Sequence, residues 1–211
     1  GKTTALYSLL SKRKIKGKRV SYRKLFDKIY IISPTMGKSS IKNDPFKDVN
    51  NDQVFRKLTI EVLEKLENTL KENREEGLNS CIILDDVGSE IKASAQVLKK
   101  LTAMIQNRRH DFASYFILLQ KWRDAPTGIR NNISNLIIFK PKNEIEKESI
   151  SNELFPFKKN KFQQLFNYIF ENDNKFSFMY VDMSLKQTNK FIFHNGFNKL
   201  DLYDEETHTA N

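Results

Sequence analysis

The chain has 211 residues, enough for one α/β domain with a substantial core, and its 36 lysines and arginines against 26 acids give a formal charge of +10. That balance favours a polyanionic partner, but lysines also simply solvate a surface, so charge by itself leaves nucleic acid open. No apolar run approaches the ~20 residues that cross a bilayer, the start lacks the apolar segment of a secretory signal, and a lone cysteine, Cys81, excludes an internal disulfide and suits a reducing compartment.

The first four residues, Gly1-Lys2-Thr3-Thr4, match the last half of a phosphate-binding loop, in which a lysine reaches the phosphates and the next hydroxyl holds Mg²⁺. A complete loop needs a preceding strand and turn. The natural protein is therefore expected to carry both upstream of Gly1, and the present residues alone are expected to bind nucleotide poorly. Residues 3–14 suit a helix with Leu6, Leu9 and Leu10 on one side. Residues 12–24, KRKIKGKRVSYRK, are strongly basic with Gly17 as a break, and phosphate contact and a solvated loop fit them equally. The apolar run at 29–33 reads as a buried strand closed by Pro34-Thr35, and polar residues 37–51 read as a loop. Residues 54–73 suit an amphipathic helix with Leu58, Val62, Leu63, Leu66 and Leu70 inward.

Residues 79–120 organise the rest and read as strand, helix, strand. Cys81-Ile82-Ile83-Leu84 is continuous apolar sequence, as in a strand buried on both faces, and Asp85 and Asp86 follow where it stops. In open parallel sheets ligands sit beyond the carboxyl ends of strands, so acids placed there point to chemistry rather than packing. Ile91, Ala95, Leu98, Leu101, Ala103, Met104 and Ile105 are spaced for one broad helical face, ending at Asn107-Arg108-Arg109-His110. A second buried strand at 115–119 is expected to deliver Gln120 to the same edge. After Gln120, residues 136–139 read as another buried strand, 144–154 and 161–170 as helices, and 176–181 with 190–193 as an antiparallel hairpin extending the sheet. The phenylalanines of this half fall at strand and helix spacing, which suits core better than a stacking platform for bases. Residues 1–200 are thus expected to form a single domain, with 201–211 a polar tail.

A lone GKT occurs by chance. GKT opening a helix, then four apolar residues and two acids, then a strand ending in Gln, in that order, is specific for a nucleoside triphosphatase.

At these residues the sequence resembles the genome-packaging ATPases of large double-stranded DNA viruses, in the FtsK–HerA branch of P-loop NTPases that poxviruses and related giant viruses carry. The resemblance rests on GKTT (1–4), IYIISPT (29–35), IILDDV (82–87), NRRHDFASYFILLQ (107–120) and GIRNN (128–132), followed by the LIIF strand. It covers residues 1 to about 141 in order, and RRH running into a strand that ends in Gln is its most distinctive part. It implies a RecA-like α/β core with a central, mainly parallel sheet flanked by helices. It also implies ATP and Mg²⁺ as ligands, a homo-oligomeric ring that pumps double-stranded DNA, and a capsid or portal partner without a membrane. The place of action it implies is the host-cell cytoplasm, a virus factory or the virion. One departure stands out: many members of the wider superfamily end the acid strand in Asp-Glu, whereas Asp85-Asp86 is one methylene shorter at its second acid.

The roles that follow are expectations. Gly1, Lys2, Thr3 and Thr4 cradle the nucleotide, with Lys2 on the β- and γ-phosphates and the Thr3 hydroxyl on Mg²⁺, whose shell Asp85 completes. Asp86 polarises the attacking water, with Glu90 the fallback one turn on, and Gln120 senses the γ-phosphate. Arg108 and Arg109 end a helix, where the macrodipole favours cations anyway, so a cap and an arginine finger in a neighbouring subunit compete as readings. Arg130 is the competing finger. Against the packaging motor stand another P-loop DNA motor, such as a helicase or plasmid-transfer ATPase, and a non-catalytic DNA-binding or assembly protein switched by nucleotide.

Overall fold

The computed structural model describes residues 1–11, 13–15, 18–35, 45–154, 159–171, 177–184 and 191–200, with backbone only at 13–15, 18–20 and 159. The elements of the first part are α1 (Lys2–Leu10), β1 (Arg13–Ile15), β2 (Lys18–Val20), β3 (Lys28–Ile32), β4 (Val54–Phe55), α2 (Ile60–Glu75), β5 (Ser80–Asp85), α3 (Gly88–Ala93), α4 (Ala95–Asn107), β6 (Ala113–Leu118) and α5 (Thr127–Arg130). Those of the second are β7 (Asn135–Phe139), α6 (Glu144–Leu154), α7 (Lys159–Phe170), β8 (Phe178–Asp182), β9 (Ile192–Asn195) and β10 (Asn198–Lys199). Contacts within the chain divide it into two units, Gly1–Asn132 and Ile133–Asn211.

The first unit is built on a parallel sheet of order β4-β3-β5-β6. Both central strands bury alternate side chains in opposite layers, which is why their sequences read as unbroken apolar runs. On one face Tyr30, Ile32, Ile82 and Leu84 meet Leu63, Leu66 and Leu70 of α2 and Val97, Leu101 and Met104 of α4. On the other, Ile29, Ile31, Cys81 and Ile83 meet Leu6, Tyr7 and Leu10 of α1 together with Phe46. Between sheet and α2 lies one polar knot: the buried Asn73 amide donates to Tyr30 Oη (2.8 Å) and Ser80 Oγ (2.9 Å), so its burial leaves neither proton unmatched.

Several boundaries differ from the expectations, each for a local reason. The first helix stops at Leu10 rather than near Lys14, and the chain turns into the antiparallel pair β1–β2, with Gly17 outside the described residues. The helix expected over 54–73 gives up its start to the edge strand β4 and begins only at Ile60, where the Thr59 hydroxyl accepts from the Val62 amide (3.3 Å) and satisfies a helix-start donor. The helix after Asp86 is broken in the same way at Ser94, whose hydroxyl accepts from the Val97 amide (3.3 Å) and opens α4. Ala95 and Ala103 of the expected apolar face are exposed as a result. Of the loop expected over 37–51, residues 37–44 lie outside the described residues, as does the tail at 201–211.

In the second unit the antiparallel strands expected at the C-terminal end form, with β7, a sheet of their own in the order β10-β9-β8-β7. The strand at 136–139 is therefore not a buried strand of the parallel sheet. It is half-buried, with Ile138 in the core and Ile137 exposed, as one side of a two-faced antiparallel sheet should be. Met179, Val181 and Phe193 are buried in the core of this unit, as are Phe162, Phe166 and Phe170 at successive turns of α7.

Candidate nucleotide site

Strand direction decides what can meet. β3, β5 and β6 are parallel, so the residues just past Ile32, Leu84 and Leu118 share one edge of the sheet. The register pairs Ile32 with Leu84, which sets Ser33 beside Asp85. Ser33 is fully buried, and its hydroxyl donates to Asp85 Oδ2 at 3.5 Å and is itself bonded by the Thr35 amide at 3.2 Å. The Asp85 side chain is nearly buried at the strand tip. Burial first, and the neighbouring charge of Asp86 second, raise its carboxyl above the ordinary aspartate value, while the Ser33 hydroxyl and then the Lys2 ammonium pull the other way. Lys2, at the start of α1, is near enough to act on this carboxyl at the end of β5.

Asp86 stands in a left-handed backbone conformation with φ 59°, a region that aspartate tolerates better than most residues. Its amide donates to the Leu118 carbonyl (3.3 Å), and its Oδ1 accepts from Gln120 Nε2 at 2.8 Å. The two strand tips are thus latched across the sheet edge by the two side chains expected to handle water and γ-phosphate. Glu90, in the first turn of α3, instead accepts from its neighbour Ser89 Oγ at 2.7 Å. Lys92 of α3 forms an ion pair with Asp124, and a Cβ at Gly88 would stand 3.3 Å from the Asp124 Cβ, a tight contact that glycine avoids where α3 approaches the loop after Gln120. At the other side of the site Gly1 caps α1, with its carbonyl accepting from the Ala5 amide (2.9 Å), and Lys2 and Thr3 are half-exposed in the first turn.

Arg108 and Arg109 are not at this edge. α4 runs back along the sheet, so Arg108 and Arg109 precede β6, where Ala113 pairs with Ser80 and the Arg108 carbonyl accepts from the Ala113 amide (2.8 Å). Six residues of strand span about 20 Å, well beyond an arginine's reach, so neither touches its own chain's site. Arg108 turns Nη1 to the Ile105 carbonyl (3.0 Å) and caps α4, whereas Arg109 is exposed. Arg130, in α5, lies 5.5 Å from the Trp122 ring centroid and donates from Nη2 to Thr127 Oγ1 at 3.3 Å. Gly128 lets α5 close on α4, since a Cβ there would meet Thr102 Cγ2 at 3.2 Å.

Chemically the edge offers a buried carboxylate, a hydroxyl and an ammonium at a helix start, which suits a hard divalent cation shared with phosphate oxygens. No cluster of three His, Cys, Asp or Glu able to hold a metal by itself exists among the described residues, and none of their helices is long and apolar enough to cross a membrane. Ser33 is the site residue that the sequence alone does not single out. Its signal is positional and appears only once the β3–β5 register is known.

No curated protein matches the chain. Two solved structures share its fold. The DNA-packaging ATPase B204 from Sulfolobus turreted icosahedral virus is 15% identical, with a TM-score of 0.56 over 80% of this chain and 82% of that one. The genome packaging NTPase B204 from Sulfolobus turreted icosahedral virus 2, in complex with AMPPCP, is 14% identical, with a TM-score of 0.50 over 82% and 83%. At such identities the likeness is one of fold: a parallel sheet flanked by helices with antiparallel strands at the C-terminal end. The sequence itself is matched by the family profile described as Poxvirus A32 protein over residues 1–192, nearly the whole length. The chain belongs to the poxvirus A32 protein family.

Proposed function

We propose that this protein is a DNA-packaging ATPase, an ATP-driven motor that moves double-stranded viral DNA into a preformed capsid. The observation that carries the reading is the carboxyl edge of the parallel sheet, where Asp85, Asp86 and Gln120 converge under the pull of Lys2. The family match and the fold shared with two viral packaging NTPases support it. In this reading residues 1–200 work as one ATPase domain. Lys2 binds the β- and γ-phosphates, and Thr3 and Asp85 hold Mg²⁺, which when bound would offset charge on the phosphate oxygens. Asp86 orients and deprotonates the water, and Gln120 reports the γ-phosphate by exchanging its bond to Asp86 for one to the nucleotide.

The deciding experiment measures ATP turnover by full-length protein with and without duplex DNA of mixed sequence, over a salt series. Turnover stimulated by duplex, without strand separation and with affinity falling steeply as salt rises, is expected. A motor grips every sequence it meets and so relies on phosphates. Strand separation would select the helicase reading, and nucleotide binding without turnover would select the switch.

Within the site, Asp86→Asn is expected to slow turnover by ~10²–10⁴-fold with nucleotide binding retained, the usual worth of a positioned general base. Asp86→Glu is expected to stay active, because the longer arm is the one found at this position in the wider superfamily. Glu90→Gln is expected to lose far less, since Glu90 is turned to Ser89 in this structure. A dead Glu90→Gln beside an active Asp86→Asn would transfer the role.

A further inference from the structure

The structure assigns the grip on the duplex to the ribbon β1–β2, at the far end of α1 from the nucleotide; this rests on the DNA-motor reading above. Four of the six ribbon residues are lysine or arginine in the short stretches Arg13-Lys14-Ile15 and Lys18-Arg19-Val20. Its register sets Lys14 opposite Arg19. Two like charges at facing positions destabilise an antiparallel pair, and a two-stranded ribbon outside any larger sheet is marginal to begin with. Here β1 and β2 pair only with each other among the described residues. Such a ribbon gains most from a polyanion that neutralises both positions at once, and a duplex presents phosphates at that density.

Two features tie the ribbon to the motor. It follows directly on α1, whose nine residues carry the chain about 13 Å away from Lys2. Its base is fastened back to that helix, with Ser21 Oγ donating to the Leu10 carbonyl at 3.0 Å. Lys2 and the base of the ribbon are thus joined through α1 and the Ser21–Leu10 bond. Beyond Ser21 a single turn leaves Tyr22 and Leu25 exposed at 52% and 60%, beside the exposed Lys24, so the surface that continues the ribbon also offers apolar contact to sugar and base edges. Charge is distributed accordingly: every arginine of the chain, and the whole basic excess, lies before Ile133.

The test uses full-length Lys14→Ala/Arg19→Ala, binding of a mixed-sequence duplex over a salt series, and turnover with and without DNA. The slope of log affinity against log salt is expected to fall by about two, and affinity near 0.1 M salt by roughly 60-fold, at ~0.9 per lost phosphate contact. DNA-free turnover is expected to stay unchanged. The charge-keeping swap Lys14→Arg/Arg19→Lys is expected to bind as the wild type does. The matched control Lys71→Ala/Lys99→Ala, on α2 and α4, is expected to keep the wild-type slope. Wild-type affinity and slope in the alanine pair, an equal loss in the control, or a loss in the charge-keeping swap would each overturn the assignment. A wild-type protein that hydrolyses ATP but binds no duplex at low salt would overturn the DNA-motor reading and this one together. A ribbon variant that keeps duplex affinity and loses only self-association would give the ribbon to a neighbouring subunit.

Discussion

Asp85→Asn is expected to abolish ATP hydrolysis while making the nucleotide-free fold more stable at neutral pH. The first effect follows from the loss of the carboxylate proposed to hold Mg²⁺, and Lys2→Ala is expected to abolish turnover too, through the phosphates. The second follows from the site's electrostatics. Burial and the Asp86 charge raise the Asp85 carboxyl, so the fold prefers that group protonated. An aspartate raised in the folded state contributes most stability below its unfolded value and loses it as pH climbs through the folded one. Asparagine has no charge to desolvate and still accepts from Ser33. Melting curves of wild type and variant should therefore converge in acid, below the ordinary carboxylate range, and separate as pH rises, with the variant higher. Wild-type turnover in Asp85→Asn would remove Asp85 from the chemistry. A variant that melts lower at neutral pH would refute the desolvation account.

Arg109→Ala is expected to reduce turnover by ~10³–10⁵-fold, the worth of an arginine finger, without lowering nucleotide affinity in proportion. The geometry allows this only in trans. The residue is exposed at the amino edge of the sheet, the length of β6 away from its own chain's Asp85. Mixing Arg109→Ala with Lys2→Ala subunits, each inactive alone, should restore part of the activity, because some interfaces then pair an intact Lys2 with an intact Arg109. Arg108→Ala should mainly loosen the end of α4, whose Ile105 carbonyl it covers. Arg130→Ala should mainly disturb the packing on Trp122. Full turnover by a monomer at every concentration would refute the shared site.

What was legible in the sequence followed from burial. The runs before Ser33 and Asp85 are apolar because both faces of the sheet are covered there, and acids at the end of such a run have few structural excuses. The run expected to be a buried strand before Gln120 is only half-buried in β6, with Ser114 exposed. Helix boundaries were less legible. Thr59 and Ser94 stop or start helices through one hydroxyl bond each, and nothing distinguishes such a residue from an ordinary polar one in a charged helix. The ribbon was hidden because lysines and arginines mask the alternation that reveals strands. Residues 136–139 misled for the opposite reason: an apolar strand reads as fully buried whether or not its second face is covered. The positions of Arg108 and Arg109 were implied by connectivity alone, since a helix between two parallel strands must return the chain to the opposite edge.

Cys81 turns the acid strand into its own reporter. It lies in β5 four residues before Asp85, fully buried, with burial pushing its thiol up to about 12. Burial both disfavours the reactive thiolate and shields it from solvent, so an alkylating reagent labels the chain only after the strand has come out of the sheet. Mass spectrometry of the Cys81 adduct would time the opening of the strand that ends at Asp85, since Cys81 is the single cysteine of these 211 residues. Labelling that slows when nucleotide is added would convert binding affinity directly into a measured protection factor.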